Sequence, residues 1–236
     1  MSRSTDSGFS ASRARRWRPF KESRKRQAPA CRSYGGQTVC VVEPWNINIH
    51  YDRKLAKCVP SEAASALEVG CGDGFLAARL SQRIPGVVAV DADEPVLARA
   101  KQRFPTAPVT WRHGDILDLA DELGEFDAVV SNATLHHLPD TRVALACLRG
   151  LVTPGGTLAL VTFARPGWRY LPWALATLVI RGVAIRLRGK WEHSAPTVWP
   201  PGFTVAELRS HVRAELPGAR VSLLPLGRVF VRWEAL

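Results

Sequence analysis

Glycines and a carboxylate stand close together in the segment Leu67-Glu68-Val69-Gly70-Cys71-Gly72-Asp73-Gly74-Phe75. Glycine permits a tight turn and lets a ligand approach the backbone closely. A dinucleotide site with the pattern Gly-x-Gly-x-x-Gly/Ala would have a small residue where Phe75 stands. Glu68 would repel a diphosphate, whereas its charge suits a cationic ligand. The segment therefore predicts a binding loop for a positively charged ligand.

Two further carboxylates follow later apolar runs. Asp91 comes 21 residues after Gly70, a spacing that suits a carboxylate accepting hydrogen bonds from ribose hydroxyls. Asp115 precedes Ile116, so that an acceptor for an adenine amino group stands beside an apolar side chain that could cover the ring. A helix-capping role for Asp91 and a turn-forming role for Asp115 remain open. Ligands of open α/β sheets bind where the strands end, which is where all three motifs stand.

Strand-like and helix-like patterns alternate from about residue 61, and they position these motifs. The predicted strands are 66–69, 87–90, 109–112, 126–130 and 157–163, and the predicted helices are 75–84, 94–104, 142–151 and 205–216. This alternation predicts a parallel sheet with helices on both faces. Residues 220–224 and 228–233 flank Pro225-Leu226-Gly227, so we expect an antiparallel hairpin at a sheet edge.

Composition and charge divide the chain of 236 residues into two parts. The hydrophobic fraction of 46% can form a sizeable core. Residues 1–32 contribute +8 of the formal net charge of +11. We expect residues 1–40 to be a basic, disordered tail and residues 41–236 to form one domain. An arm for nucleic acid or an anionic membrane, and a processing role, are the alternatives for the tail.

The segment 164–203 interrupts the α/β pattern. It holds four of the eight tryptophans and several arginines. We interpret it as an insertion whose helix caps a substrate pocket; a structural or dimer helix and interfacial membrane contact are the alternatives. Arg181 and Arg186 interrupt its apolar run, which is also short, so a transmembrane span is not expected.

The cysteines and histidines do not suggest a metal site. The five cysteines form no Cys-x-x-Cys pair and their number is odd, so we expect neither a zinc cluster nor a disulfide framework. No apolar signal segment follows the basic N-terminus, and a reducing cytoplasm is the expected location. His136 and His137 lack further ligands at suitable spacing. We expect His136 to face the pocket, with structural packing as the alternative.

With these motifs in order, the chain resembles the class I S-adenosylmethionine-dependent methyltransferases of the small-molecule type. The resemblance covers residues 46–163 by motif and 204–236 by pattern. It implies a Rossmann-like, seven-stranded, mostly parallel doubly wound α/β sheet with an antiparallel last strand. It also implies S-adenosyl-L-methionine as cofactor. The cofactor-binding residues that it implies are Glu68, Gly70, Gly72, Gly74, Asp91, Ala92, Asp115, Ile116, Asn132 and Tyr51.

The activity implied by the resemblance is transfer of a methyl group to an O, N or C atom of a small molecule, with a specialised metabolite as one candidate. His136 is the candidate general base for an acceptor that must lose a proton. Ser131-Asn132-Ala133-Thr134 lacks the Pro-Pro motif of enzymes that methylate nucleic-acid bases, which disfavours a nucleic-acid partner. An RNA or protein methyltransferase guided by the tail, and a non-catalytic cofactor-binding protein, are the alternative functions. The oligomeric state is left open.

Overall fold

The described residues form a mixed α/β fold. The structure, a computed structural model, describes residues 30–34, 37–41, 45–188 and 200–236. The strands are β1 Ala30–Tyr34, β2 Gln37–Val41, β3 Ser65–Val69, β4 Gly86–Asp91, β5 Val109–His113, β6 Phe126–Asn132, β7 Val152–Thr162, β8 Arg220–Leu224 and β9 Arg228–Glu234. The helices are α1 Ile47–Ala56, α2 Phe75–Leu80, α3 Glu94–Arg103, α4 Ile116–Leu123, α5 Thr141–Gly150, α6 Leu171–Arg188 and α7 Val205–Glu215.

Seven strands form one sheet in the order β5-β4-β3-β6-β7-β9-β8. Strands β3 to β7 pair in parallel, and β9 runs antiparallel to both of its neighbours. The chain moves outward in one direction from β3 to β5 and then returns to start again at β6 beside β3. Such a reversal of strand order opens a crevice at the carboxyl ends of the strands. The predicted sheet and its terminal hairpin are confirmed.

The two faces of the sheet are covered by different helices. Leu67 and Val69 of β3 pack with residues of α5 and α7, whereas Ala66 packs with Leu55 of α1 and Leu76 of α2. Successive side chains of a strand point to opposite faces. Glu68 is therefore directed to the face that α1 and α2 cover, and it is 2% exposed there.

The element bounds differ from the sequence prediction in a few places. The helices α1 and α4 were not predicted, although each begins at a polar side-chain cap, Asn46 and Asp115 respectively. Strand β7 begins at Val152, before the predicted turn, because Gly155 and Gly156 hydrogen-bond with Ala235 and thereby extend the ladder. Helix α2 ends at Leu80, four residues early.

The tail and the insertion are described only in part. Strands β1 and β2 pair antiparallel in a sheet of their own. Residues 1–29, on which most of the tail prediction depends, lie outside the described residues, as does 189–199 of the insertion. Within the described part, one helical stretch, Trp168–Leu187, has the length and apolar composition that a membrane span needs, and it is almost entirely exposed.

Candidate active site

A cavity of about 780 Å³ opens at the carboxyl ends of β3 to β6. This volume lies within the range of small-molecule sites. Nine of the residues that the sequence singled out line it together: Glu68, Gly70, Gly72, Asp91, Ala92, Asp115, Ile116, Asn132 and His136. The described lining residues include Asp, Glu, Asn and His side chains but no lysine or arginine.

Backbone conformation and side-chain packing both constrain the glycines of the loop after β3. Gly70, Gly72 and Gly74 all have positive φ, at 70°, 53° and 80°. A Cβ on Gly70 would lie 2.0 Å from Oγ1 of Thr134, and one on Gly74 would lie 2.7 Å from the Trp111 ring. A Cβ on Gly72 would meet nothing within 4 Å. Gly70 and Gly74 are thus required by packing, whereas Gly72 leaves open space beside the cavity.

Asp91 fastens this loop to the end of β4. Its Oδ2 accepts a hydrogen bond from the Gly72 N–H at 2.7 Å, and its Oδ1 accepts one from the Asp93 N–H at 2.9 Å. Burial raises the pKa of Asp91 from its usual value, while these two bonds oppose the rise. The cap of α3 is Asp93, which accepts from the Val96 N–H, so Asp91 is not the capping residue.

Asp115 caps a helix and also lines the cavity. Its Oδ1 accepts a hydrogen bond from the Leu117 N–H at 2.9 Å and caps α4. Ile116 is the first residue of that helix and is 4% exposed. The capping bond therefore fixes the carboxylate beside the apolar side chain.

Three of the acidic side chains that line the cavity lie close together. Besides Asp91 they are Glu68 and Asp52, which are 2% and 5% exposed. Burial raises the pKa of Glu68 well above its usual value, and the charges of Asp52 and Asp91 raise it further. Oε2 of Glu68 is buried without a hydrogen-bond partner among the described residues. This corner of the cavity is therefore suited to a positive charge.

Asn132 connects the acidic cluster to helix α1. Its Nδ2 donates to Asp52 Oδ1 at 2.7 Å and to the Asn48 carbonyl at 2.8 Å. Its own Oδ1 is buried without a hydrogen-bond partner among the described residues. The sequence analysis did not identify Asp52 as a site residue; its separation of four residues from Asn48 on a helix was the available signal.

Two of the sequence-predicted residues do not line the cavity. Gly74 lies behind the loop against Trp111. Tyr51 points away from the face of α1 that carries Asn48 and Asp52, and its phenol donates a hydrogen bond to the Pro225 carbonyl. Burial raises the pKa of Tyr51 to about 12. The placement of Tyr51 in the ligand pocket is corrected because the helix turns that side chain toward the end of β8.

His136 lines the cavity from the 3-10 helix Leu135–His137 after β6. It is 6% exposed, and its ring meets the edge of Phe163 at 4.7 Å between centroids. Burial, followed by the charges of His137 and Arg228, lowers the pKa of His136 to about 3. The imidazole is therefore neutral at physiological pH.

A buried arginine supports this side of the cavity from behind. The Arg228 guanidinium lies 3.4 Å from the centroid of the Phe163 ring, and its Nη2 donates to Asn48 Oδ1 at 2.8 Å. Burial lowers the pKa of Arg228, yet the group stays cationic at neutral pH. Arg228 thus connects β9 to the α1 wall without lining the cavity.

The insertion does not cap the cavity within its described part. None of the described residues of 164–203 lines it. Helix α6 packs instead on the 3-10 turn Pro225–Gly227, where the Trp173 indole donates to the Leu224 carbonyl at 2.9 Å. The expectation of a cap helix is corrected for this part of the insertion, because the inner face of α6 is used against the β8–β9 turn.

Comparison with known proteins agrees with this geometry. A family profile described as a methyltransferase domain matches residues 67–160. "Uncharacterized methyltransferase Mb0092" of Mycobacterium bovis is 58% identical over 82% of this chain and 98% of its own length. "Ubiquinone biosynthesis O-methyltransferase" of Xanthomonas campestris is 34% identical over 76% of this chain and 72% of its own. The chain belongs to the class I S-adenosylmethionine-dependent methyltransferases.

Solved structures show the same fold for this methyltransferase. DesVI of Streptomyces venezuelae superposes with a TM-score of 0.55 at 20% identity, covering 80% of this chain and 92% of its own. The N-methyltransferase NodS of Bradyrhizobium japonicum, in complex with S-adenosylhomocysteine, has a TM-score of 0.52 at 16% identity, covering 79% and 86%. At these identities the likeness concerns the fold alone.

Proposed function

We propose that this methyltransferase moves the methyl group of S-adenosylmethionine to an O, N or C atom of a small molecule bound in the described cavity. The observation that carries the proposal is the convergence of Asp52, Glu68 and Asp91 on a cavity whose described lining has no lysine or arginine. A diphosphate cofactor would be repelled there, whereas a sulfonium and an ammonium would be attracted.

The chain's residues fit this cofactor. The open space beside Gly72 gives the ligand access to the loop backbone, and the unpartnered Oε2 of Glu68 can accept a hydrogen bond. We assign the ribose to Asp91 and the adenine to Asp115 and Ile116, with Ala92 beside it. The unpartnered Oδ1 of Asn132 is available to a donor at the methionine end.

The chain contributes to the reaction mainly by positioning. When bound, the cofactor supplies an electrophilic methyl group on a good leaving group. The loop 70–74, Asp91 and the helix-capping Asp115 hold ligand groups in fixed directions, and the buried side chains of Leu76 and Ile116 exclude water from the cavity wall. Positioning of this kind can contribute ~7–11 kcal/mol to the lowering of the barrier.

His136 is suited to hydrogen bonding more than to full proton removal. A base is most effective when its pKa lies near the operating pH. A histidine whose pKa is about 3 is a weak base, although its neutral form is the one that accepts a hydrogen bond. We therefore propose that His136 orients the acceptor, and that the acceptor ionises readily or reacts in its neutral form.

The acceptor is best described as a small planar or apolar molecule. Phe163, Leu138 and Ile49 contribute apolar surface to the cavity. The name of the Xanthomonas relative specifies an O-methyltransferase, and a Trichormus variabilis relative is named "2-phytyl-1,4-naphtoquinone methyltransferase", with 31% identity over 55% of this chain and 61% of its own. The first name favours oxygen as the acceptor atom, and the second favours a ring as its carrier.

Calorimetry with S-adenosylhomocysteine tests the cofactor assignment. We expect binding by the intact chain and strong weakening in Asp91→Ala, with Asp118→Ala, an exposed helix residue, as the control. Binding of NAD or ATP in place of S-adenosylhomocysteine would contradict the proposal. Incubation with methyl-labelled cofactor and a small-molecule extract then identifies the acceptor.

A chain lacking residues 1–40 separates small-molecule from macromolecular substrates. The tail carries most of the net charge, so it is the feature that would recruit RNA. We expect the shortened chain to retain its activity on the small molecule. Loss of that activity together with labelling of RNA or protein by the full chain would favour the macromolecular alternative.

A further inference from the structure

Helix α6 exposes an apolar face that nothing in the described chain covers. Along the outer side of α6 and the turn before it, large apolar side chains are between 53% and 85% exposed: Trp168, Leu175, Leu178, Val179, Val183 and Leu187. We call these six residues the outer face. A contiguous exposed apolar face of this kind marks an interaction site on a soluble domain.

The opposite side of α6 is fixed to the domain. Thr177 is 9% exposed, and its Cγ2 lies 3.1 Å from the position that a Cβ on Gly227 would occupy. Trp173 and Ala184 pack against the two core clusters. The helix is thus anchored along one stripe, which leaves the outer face exposed.

The charged side chains of the segment that carries the outer face all have one sign. No Asp or Glu occurs between Asp140 and Glu192, whereas Arg169, Arg181 and Arg186 lie on or beside the helix and are exposed. A helix with apolar and basic residues and no acid is typical of segments that lie in the interface of an anionic membrane. Long arginine side chains can bury their stems and extend their charge to the headgroups.

We propose that the outer face of α6 docks the methyltransferase onto the surface of an anionic lipid bilayer. Trp168, which is 85% exposed at the start of the helix, is placed to lie at the headgroup level. A second copy of the chain is a poorer occupant, because the helix carries Arg181 and Arg186 but no acidic residue that could pair with them in a partner copy. A transmembrane position is disfavoured because it would detach Trp173 from Leu224.

Helix α6 is connected to the wall of the cavity through the turn on which its inner side packs. The turn Pro225–Gly227, on which α6 packs, accepts the Tyr51 hydrogen bond from α1, and Arg228 bonds to Asn48 of the same helix. Asn48 lines the cavity. The bilayer would thus lie on the side of the molecule where α1 borders the site.

Vesicle flotation of the full chain tests the proposal. Vesicles of phosphatidylcholine alone are compared with vesicles that also contain phosphatidylglycerol. We expect the protein to float with the anionic vesicles and to remain at the bottom with the neutral ones. Absence of flotation with the anionic vesicles would overturn the proposal.

Two sets of variants assign the binding to the outer face. Leu175→Gln/Leu178→Gln/Val179→Gln should abolish flotation, whereas Val143→Gln, at a 54% exposed valine on α5, should float as the parent does. Arg169→Gln/Arg186→Gln should weaken binding to anionic vesicles by roughly 30-fold, since each basic group near such a surface contributes ~1 kcal/mol. Lys101→Gln/Arg213→Gln removes equal charge elsewhere and should bind as the parent does. Undiminished flotation of the triple variant would overturn the proposal.

Two further measurements distinguish the competing occupants. Light scattering without lipid should give the same mass for the parent and the triple variant; a dimer that the triple variant converts to a monomer would overturn the proposal in favour of a second copy. Alkaline carbonate should release the parent from the vesicles. Resistance to that extraction would overturn the proposal in favour of a spanning helix. Circular dichroism of each variant confirms that its fold is retained.

Discussion

Gly72→Ala separates the cost of backbone strain from the loss of the ligand site. Residue 72 has φ of 53°, and a Cβ there meets no atom within 4 Å. An alanine in the left-handed region costs about 1–2 kcal/mol. For a chain of this size, each kcal/mol lowers Tm by about 2–4 °C, so we expect a fall of about 2–8 °C without loss of the fold.

The same methyl group should also weaken cofactor binding, through a separate steric penalty. The open space beside Gly72 is where we place the ligand against the loop. A methyl inserted into a filled site costs about 1–3 kcal/mol. That penalty raises the Kd for S-adenosylhomocysteine by roughly 5- to 150-fold. Titration calorimetry measures this Kd, and a thermal melt without ligand measures the strain.

Two other glycines make the comparison decisive. Gly218 has φ of 83° and equally empty surroundings, and it does not line the cavity, so Gly218→Ala should lose similar stability and keep the parent Kd. Gly70→Ala would place its Cβ 2.0 Å from Thr134 and should lose about 2–5 kcal/mol through strain and overpacking together. If Gly72→Ala bound the ligand as tightly as Gly218→Ala, the placement of the cofactor would be refuted.

Three further predictions concern ionisable groups. Because burial raises the pKa of Glu68 in the folded state, the contribution of this group to stability should fall as the pH rises above about 4.3. Glu68→Gln should therefore make Tm less dependent on pH between pH 5 and 8. An unchanged dependence of Tm on pH would contradict this. His136→Asn should lower kcat by a similar factor from pH 5.5 to 8, since the pKa of about 3 keeps the parent imidazole neutral; an inflection near 6.5 that the variant abolishes would show a titrating base. Tyr51→Phe should lose about 1 kcal/mol of stability and leave the Kd for S-adenosylhomocysteine unchanged, because its phenol bonds to Pro225; a weakened Kd at unchanged Tm would return Tyr51 to the site.

The parts of the fold that the sequence predicts well are those specified locally. The Val-rich run of β4 can only be a buried strand in this context, and the turn at Pro225–Gly227 brings β8 and β9 together. The loop 70–74 is recognisable because its glycines are needed for backbone conformation, whatever lies around them. Each of these features depends on a few neighbouring residues.

The parts that the sequence predicts poorly depend on how an element is rotated and where it packs. Tyr51 and Asp52 are adjacent on α1, yet one faces Pro225 and the other the cavity, and only the docking of α1 on the sheet decides between them. Likewise, the apolar and basic sequence of α6 is compatible with a cap helix as well as with an exposed helix. The β8–β9 turn that α6 contacts is about 50 residues away along the chain, so no local sequence pattern indicates this contact.

The acidic cluster explains why the site should select a cation. Without a ligand, burial and repulsion from the charges of Asp52 and Asp91 disfavour the ionised form of Glu68, which raises the pKa of this carboxyl. A bound cation relieves the same repulsion with Glu68 ionised. Proton and cation therefore compete for one corner of the cavity, which links cofactor affinity to pH. The same cluster would weaken the binding of a dinucleotide, because the diphosphate would add to the repulsion.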